Sequence, residues 1–122
     1  MAKIVHDDVL DGAWDVLDQA DLMTVCAGQP TTRTEAVTTF KLADTAMTPN
    51  TDYTKANGTT SGRKVTTAAK SAVPVDTSGT ADHVAWVDAT RLLYVTTCTS
   101  QVLTAGNNVN IPAVSMEIAD PT

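Results

Sequence analysis

The sequence is poor in positive charge, with 8 Lys and Arg residues against 14 Asp and Glu residues and a net charge of −6 at pH 7. Proteins that bind the phosphate backbone of nucleic acids present a basic face, because their Lys and Arg side chains neutralise phosphates. The composition therefore argues against a nucleic-acid partner. The excess of acid suits solubility and does not identify another partner.

Long apolar runs are also missing. No stretch approaches the roughly 18 consecutive apolar residues that indicate a membrane-spanning helix. Residues 1–12, MAKIVHDDVLDG, place acids where a secretory signal peptide would have its apolar region. We therefore expect no membrane partner. We also expect the chain to stay in a cytoplasm, or to be assembled there into something larger.

Cysteine and histidine are scarce, and their spacing does not match a metal-binding or catalytic site. Cys26 and Cys98 belong to no CxxC pair and have no histidine at zinc-binding spacing. Both lie in apolar, strand-like runs, so we predict buried free thiols, whereas a disulfide would require neighbouring strands. His83 and Asp88 are five residues apart on a predicted strand and would point to opposite faces. We predict that His83 faces solvent or a partner and is not catalytic.

Two further patterns resemble functional sites only weakly. GTTSGRK (58–64) has the glycines and lysine of a phosphate-binding loop, but the spacing is wrong and a strand-like pattern follows it. We predict a hairpin loop there. The aspartates near the N-terminus are typical of a solvated helix face. The sequence therefore predicts no enzyme activity, no catalytic or metal-binding residue and no cofactor.

Threonine and short alternating runs are what the sequence has in abundance. Threonine is β-branched and tolerates a wet pleated surface, so its excess favours sheet over helix. One helix is predicted at about 7–20, capped by Asp7. Its predicted apolar stripe comprises Val9, Leu10, Ala13, Leu17 and Ala20. We predict that residues 1–122 form a single domain that is mainly β (small α+β), an antiparallel β-sandwich or partly closed barrel with one N-terminal helix.

The most legible segment is HVAWVDATRLLYVTT (83–97), which reads as two strands joined by a turn. Both faces of each strand are partly apolar, whereas a sheet with one face in water would alternate more cleanly. Something must therefore cover the second face: the helix, a second sheet or another chain. Trp86 is predicted to lie either in the core or at a subunit contact, where tryptophan is enriched.

The order of motifs resembles a known family. After the helix come LMTVCAGQP, a Thr-rich variable stretch, GRKVTTAAKS, GTADHVAWVD, RLLYVTTCTS, VLTAGNNVNIP and MEIADP. This order resembles a group of small virion structural proteins of tailed bacteriophages and prophages, described as head-decoration (cement) or tail-fibre proteins. The resemblance covers nearly the whole chain, is best over 62–120, and carries no catalytic residues.

The resemblance implies a β-rich, non-enzymatic subunit of a phage particle, assembled in the bacterial cytoplasm and located on the virion. The first hypothesis is a capsid decoration protein that binds the assembled lattice of the major capsid protein and stabilises the head. The alternative is a tail, collar or fibre component with a tail protein as its partner. In either case we expect a homo-oligomer. Trp14, Tyr53 and Trp86 are the candidate partner contacts, and segment 1–6 and loop 48–62 are free to reach neighbours.

Overall fold

The computed structural model describes residues 4–121. The chain begins with helix α1 (Asp7–Leu17), strand β1 (Leu22–Cys26) and a π-helical turn (Glu35–Thr39). The strands that follow are β2 (Lys41–Ala46), β3 (Tyr53–Asn57), β4 (Arg63–Thr67), β5 (Lys70–Pro74), β6 (Gly79–Val87), β7 (Leu92–Leu103), β8 (Asn108–Ile111) and β9 (Ser115–Ile118).

The described strands pair antiparallel in three sheets. The largest has the order β2-β1-β6-β7, a second has the order β3-β4-β9, and β5 pairs with β8. Side chains from α1 and from all three sheets share one apolar core. The prediction of a mainly β, small α+β fold with one N-terminal helix is confirmed, and the arrangement is sandwich-like.

Helix α1 differs from its prediction at its start and on its surface. His6, not Asp7, is the N-cap: its Nδ1 accepts a hydrogen bond from the backbone N–H of Asp8 at 3.1 Å. The helix buries Trp14 and Leu17, which are three residues apart on one face, and ends at Leu17 rather than near residue 20. Val9 and Ala13 were assigned to the buried stripe but are exposed, because the face that packs is shifted by one position along the sequence.

The second face of the 83–97 hairpin is covered by the chain itself. On one face, Val84 and Trp86 join the main core. On the other face, Ala85 and Val87 pack with Ala36 of the π-helical turn in a second, smaller cluster. The β-branched residues near 37–42 suit a strand, whereas Glu35 and Ala36 suit a helical turn equally well. The structure has the turn at Glu35–Thr39, and β2 begins at Lys41. The π-helical turn, and not α1, therefore covers Ala85 and Val87.

The two cysteines differ in their surroundings. Both are free; Cys26 is buried and Cys98 is exposed. Strand β6 lies between β1, which carries Cys26, and β7, which carries Cys98, so their strands are not neighbours. The prediction of a buried free thiol is confirmed for Cys26 and is wrong about burial for Cys98, because β7 is the edge strand of its sheet and Cys98 lies in an irregular part of its pairing with β6.

Candidate interaction surfaces

The three aromatic residues predicted as partner contacts all lie in the core. Trp14, Tyr53 and Trp86 are 5%, 6% and 0% exposed. Trp14 Nε1 donates a hydrogen bond to the Arg63 carbonyl at 3.3 Å, and the Tyr53 hydroxyl donates one to the Ala20 carbonyl at 2.9 Å. These contacts correct the prediction, because a side chain enclosed by its own chain has no surface to offer a partner.

Trp86 illustrates why these aromatics are buried. Its ring meets that of Tyr94 edge to face, with centroids 6.0 Å apart, an arrangement that aromatic pairs favour. The chain has few aromatic side chains, 4% of its residues. A large ring removes more apolar surface from water than a small aliphatic side chain does, which favours its place in the core. Of the two alternatives for Trp86, the core is the one that the structure shows.

The aspartates of α1 were predicted to form a solvated face, but most of them hold the helix on the sheet. Asp11 accepts a hydrogen bond from Arg63 Nε at 2.9 Å. Lys55 Nζ contacts both Asp15 and Asp18, the latter at 2.7 Å. These hydrogen bonds raise the pKa of Lys55 and of Arg63. The acidic residues therefore clamp α1 to β3 and β4.

His83 also has a structural partner. Its Nδ1 lies 2.7 Å from Asp82 Oδ1, which also accepts a hydrogen bond from the backbone N–H of Gly28 at 2.7 Å. Both contacts lower the pKa of Asp82. Across residues 4–121, no three His, Cys, Asp or Glu side chains are arranged to hold a metal ion. Asp82, which contacts both His83 and Gly28, joins β6 to the loop after β1.

The segment that resembles a phosphate-binding loop is a hairpin loop, as predicted. Strands β3 and β4 pair antiparallel on either side of it, and the Gly58 N–H donates a hydrogen bond to the Gly62 carbonyl at 2.9 Å. A phosphate loop would lead into a helix whose N-terminal N–H groups face the anion. Here the chain continues as a strand, so the loop does not have that architecture.

Two other surfaces are candidates for contact with a partner, and exposed apolar side chains identify the first of them. Among the described residues, the large ones are Ile4 (86% exposed), Val9 (66%), Val16 (40%) and Val102 (77%). Val9, Ala13 and Val16 are spaced by four and three residues, so they share one face of α1. We call these three residues the helix stripe. In the sequence this second apolar face is visible as a series of apolar doublets, 9–10, 13–14 and 16–17. One member of each doublet lies on the face toward the core and the other on the exposed face.

The second surface is a cleft beside the end of β7, with a volume of about 250 Å³. Its walls are mostly apolar and come from β1, β6, β7 and β8. They include Val25, Val84, Cys98, Leu103, Val109 and Ile111. The volume is below the roughly 300–1,000 Å³ of typical small-molecule sites. It suits an apolar side chain better than a cofactor. We call this feature the β7 cleft.

An irregularity in strand pairing accounts for the β7 cleft. Ala81 pairs with Gln101 and His83 with Thr97, so residues 98–100 of β7 stand opposite Asp82 alone. Such a bulge interrupts the ladder and bends the strand that carries the extra residues. Residues 97–102 are all exposed. Two residues of the bulge, Cys98 and Thr99, line the cleft. The aliphatic side chains behind them are largely buried, as Val25 (3% exposed) and Val84 (5%) show.

The walls that β7 and β8 contribute to the cleft come from a long uncharged part of the sequence. Residues 92–116 contain no Asp, Glu, Lys or Arg, so the net charge of −6 comes from the rest of the chain. This gap in charge is the feature of the sequence that indicates the surface, and it matches no catalytic motif. The wall from β7 and β8 therefore presents no charge to a partner.

Comparisons with known proteins add no relative to these observations. No family model, curated protein or solved structure matches this chain. The resemblance to phage virion proteins stays a prediction that rests on the motifs quoted above. Within residues 4–121, no helix combines the length and apolarity needed to cross a membrane.

Proposed function

We propose that this chain is a non-enzymatic structural protein of a tailed bacteriophage and that it decorates the capsid. In this role it binds the assembled lattice of the major capsid protein and stabilises the head. The observation that carries the proposal is the helix stripe, an exposed apolar face on a helix that ion pairs attach to β3 and β4. The resemblance of the motifs to virion proteins supplies the biological setting.

The chemistry of α1 defines the surface that it fits. Val9 and Val16 would enter an apolar groove, and burying each valine contributes about 1.5 kcal/mol. Asp7 and Asp8 remain exposed at the start of the helix, so Lys or Arg at the rim of that groove would complement them. Such a contact is weak alone. Repeated over a lattice, it stabilises the assembled shell, because ligands that bind only the assembled state favour that state.

The first test asks whether the helix stripe binds heads. Purified protein is mixed with phage heads that lack it, and the bound fraction is measured by pelleting. We expect stoichiometric binding by the natural chain, and binding at least about tenfold weaker for the double variant Val9→Lys, Val16→Lys, because two apolar contacts are lost and two charges must be desolvated.

The matched control for this test is the double variant Thr54→Lys, Thr90→Lys, which adds the same charge at two exposed positions outside α1. It should bind as the natural chain does. Equal binding by the α1 variant and the natural chain would exclude the helix stripe. Quantitative mass spectrometry of purified particles tests the location: hundreds of copies in heads support decoration, whereas a few copies confined to tails would favour the tail, collar or fibre alternative.

A further inference from the structure

The β7 cleft is an apolar cavity that the chain leaves unfilled. Its floor is made of small aliphatic side chains, Val25 and Val84 from the sheet and Val109 from β8. Cys98 and Thr99, which belong to the bulge, line it on the side of β7. The polar groups at its rim, Cys98, Gln101 and Asn110, are uncharged. The site therefore accepts an aliphatic side chain and provides no ion-pair partner for a charged one.

The chain also exposes an apolar side chain that suits this cavity. Val9 and Val16 belong to a helix, which is too wide to enter a narrow cleft, and Val102 is part of β7 itself. Ile4 differs from these three because it precedes α1 in a segment without helix or strand. It is 86% exposed, so it does not occupy the cleft of its own chain.

Charge favours a contact of this kind between copies. Two molecules that each carry a net charge of −6 repel one another over most of their surfaces. The wall that β7 and β8 contribute to the cleft comes from residues 92–116, which carry no charge. The N-terminal arm (residues 4–6), which carries Ile4, contains no Asp, Glu, Lys or Arg. The arm of one copy can therefore approach the cleft of another without like-charge repulsion.

We propose that the N-terminal segment of one copy inserts Ile4 into the β7 cleft of a second copy. The surfaces that meet are different on the two copies, so the contact is heterologous: repetition gives a ring when the rotation closes and a filament when it does not. This contact would hold together the homo-oligomer that the sequence leads us to expect. It uses a different surface from the helix stripe, so either proposal can fail while the other holds.

Cys98 makes the contact directly testable, because it is an exposed free thiol on the wall of the cleft. In the variant Ile4→Cys, the new thiol should form a disulfide with Cys98 of a second copy under mild oxidation, giving reducible dimers and larger species on denaturing gels. Two controls should give none: Thr54→Cys, which exposes a thiol on β3, and Ile4→Cys combined with Cys98→Ser. Cys26 is buried and does not compete.

A non-covalent measurement accompanies the cross-link. Ile4→Ser removes the apolar side chain without adding charge, and the exposure of Ile4 means that the fold should survive. We expect self-association, measured by sedimentation equilibrium, to weaken about tenfold. A disulfide formed within one chain, cross-linking equal to that of the controls, or undiminished association of Ile4→Ser would overturn the proposal.

Discussion

Gly62 shows how a single residue fixes the approach of two strands. It adopts φ +74°, and a Cβ placed on it would collide with the backbone carbonyl of Ile118, next to the end of β9. Glycine is therefore required twice, for its left-handed conformation and for the absence of a side chain. The glycines that first suggested a phosphate-binding loop serve this turn and its packing.

Replacing Gly62 by alanine separates these two requirements when it is compared with a second glycine. Gly106 also has a positive φ, +92°, but nothing lies within 4 Å of a Cβ placed there. Gly106→Ala should cost about 1–2 kcal/mol, the penalty for a left-handed conformation. Gly62→Ala should cost about 1–3 kcal/mol more, because the backbone must also move to relieve a steric clash.

Urea unfolding monitored by circular dichroism measures both costs. Equal losses of stability in the two variants would contradict the close approach of Gly62 to β9. A loss confined to Gly62→Ala would contradict the conformational penalty at Gly106. The pair therefore tests the geometry of the turn at the level of one added methyl group.

Among the elements, the π-helical turn (Glu35–Thr39) has the clearest structural task. It places Ala36 against Ala85 and Val87, on the side of the hairpin that faces away from the main core. Arg33 Nε donates a hydrogen bond to the Asp88 carbonyl at 2.7 Å, which fixes the approach to the turn at the end of β6. A short segment thus covers the apolar surface that the sequence left unexplained.

The variant Ala36→Leu tests this cover. Ala36 is fully buried, so the larger side chain should overpack the small cluster and lower the free energy of unfolding by about 1–3 kcal/mol. Thr38→Leu is the matched control, because Thr38 lies in the same turn and is exposed. It should leave stability nearly unchanged. Thermal unfolding compares the two, and equal stability of both variants would mean that the turn does not pack as described.

How far the sequence predicts these elements depends on the range of the interactions that form them. Helix α1 and the hairpin strands follow from periodicity, which reports local preference, and they are close to prediction. The alternating pattern of residues 63–75 predicts one strand, but these residues divide into β4 and β5. Between them, the N–H of Ala68 donates to the Asp52 carbonyl, a partner far away in the sequence. Nothing in the local pattern encodes that bond.

The candidate surfaces were harder to predict than the fold, for the same reason. Tryptophan and tyrosine are enriched at interfaces in general, and that preference selected Trp14, Tyr53 and Trp86. Tertiary packing decides whether an aromatic ring is available, and here it buries all three. The β7 cleft arises from a register shift between β6 and β7. Such a shift leaves no periodic trace in either strand.

At the scale of the whole molecule, the two proposed contacts have different thermodynamic roles. The helix stripe would set the affinity of each copy for the lattice, and the arm-to-cleft contact would couple neighbouring copies. Coupling raises the effective concentration of the next copy without a new contact to the capsid. Binding to heads should therefore be steeper than that of independent sites when copies sit close enough for their arms to reach.

The variant Ile4→Ser separates affinity from coupling in a titration of heads that lack the protein. We expect its isotherm to lose steepness and approach that of independent sites, with half-saturation raised several-fold, because the first copy binds as before and later copies gain nothing from their neighbours. Val9→Lys, Val16→Lys should weaken binding of the first copy as well. An Ile4→Ser isotherm that superimposes on that of the natural chain would show that copies bind the lattice without cooperating through their arms.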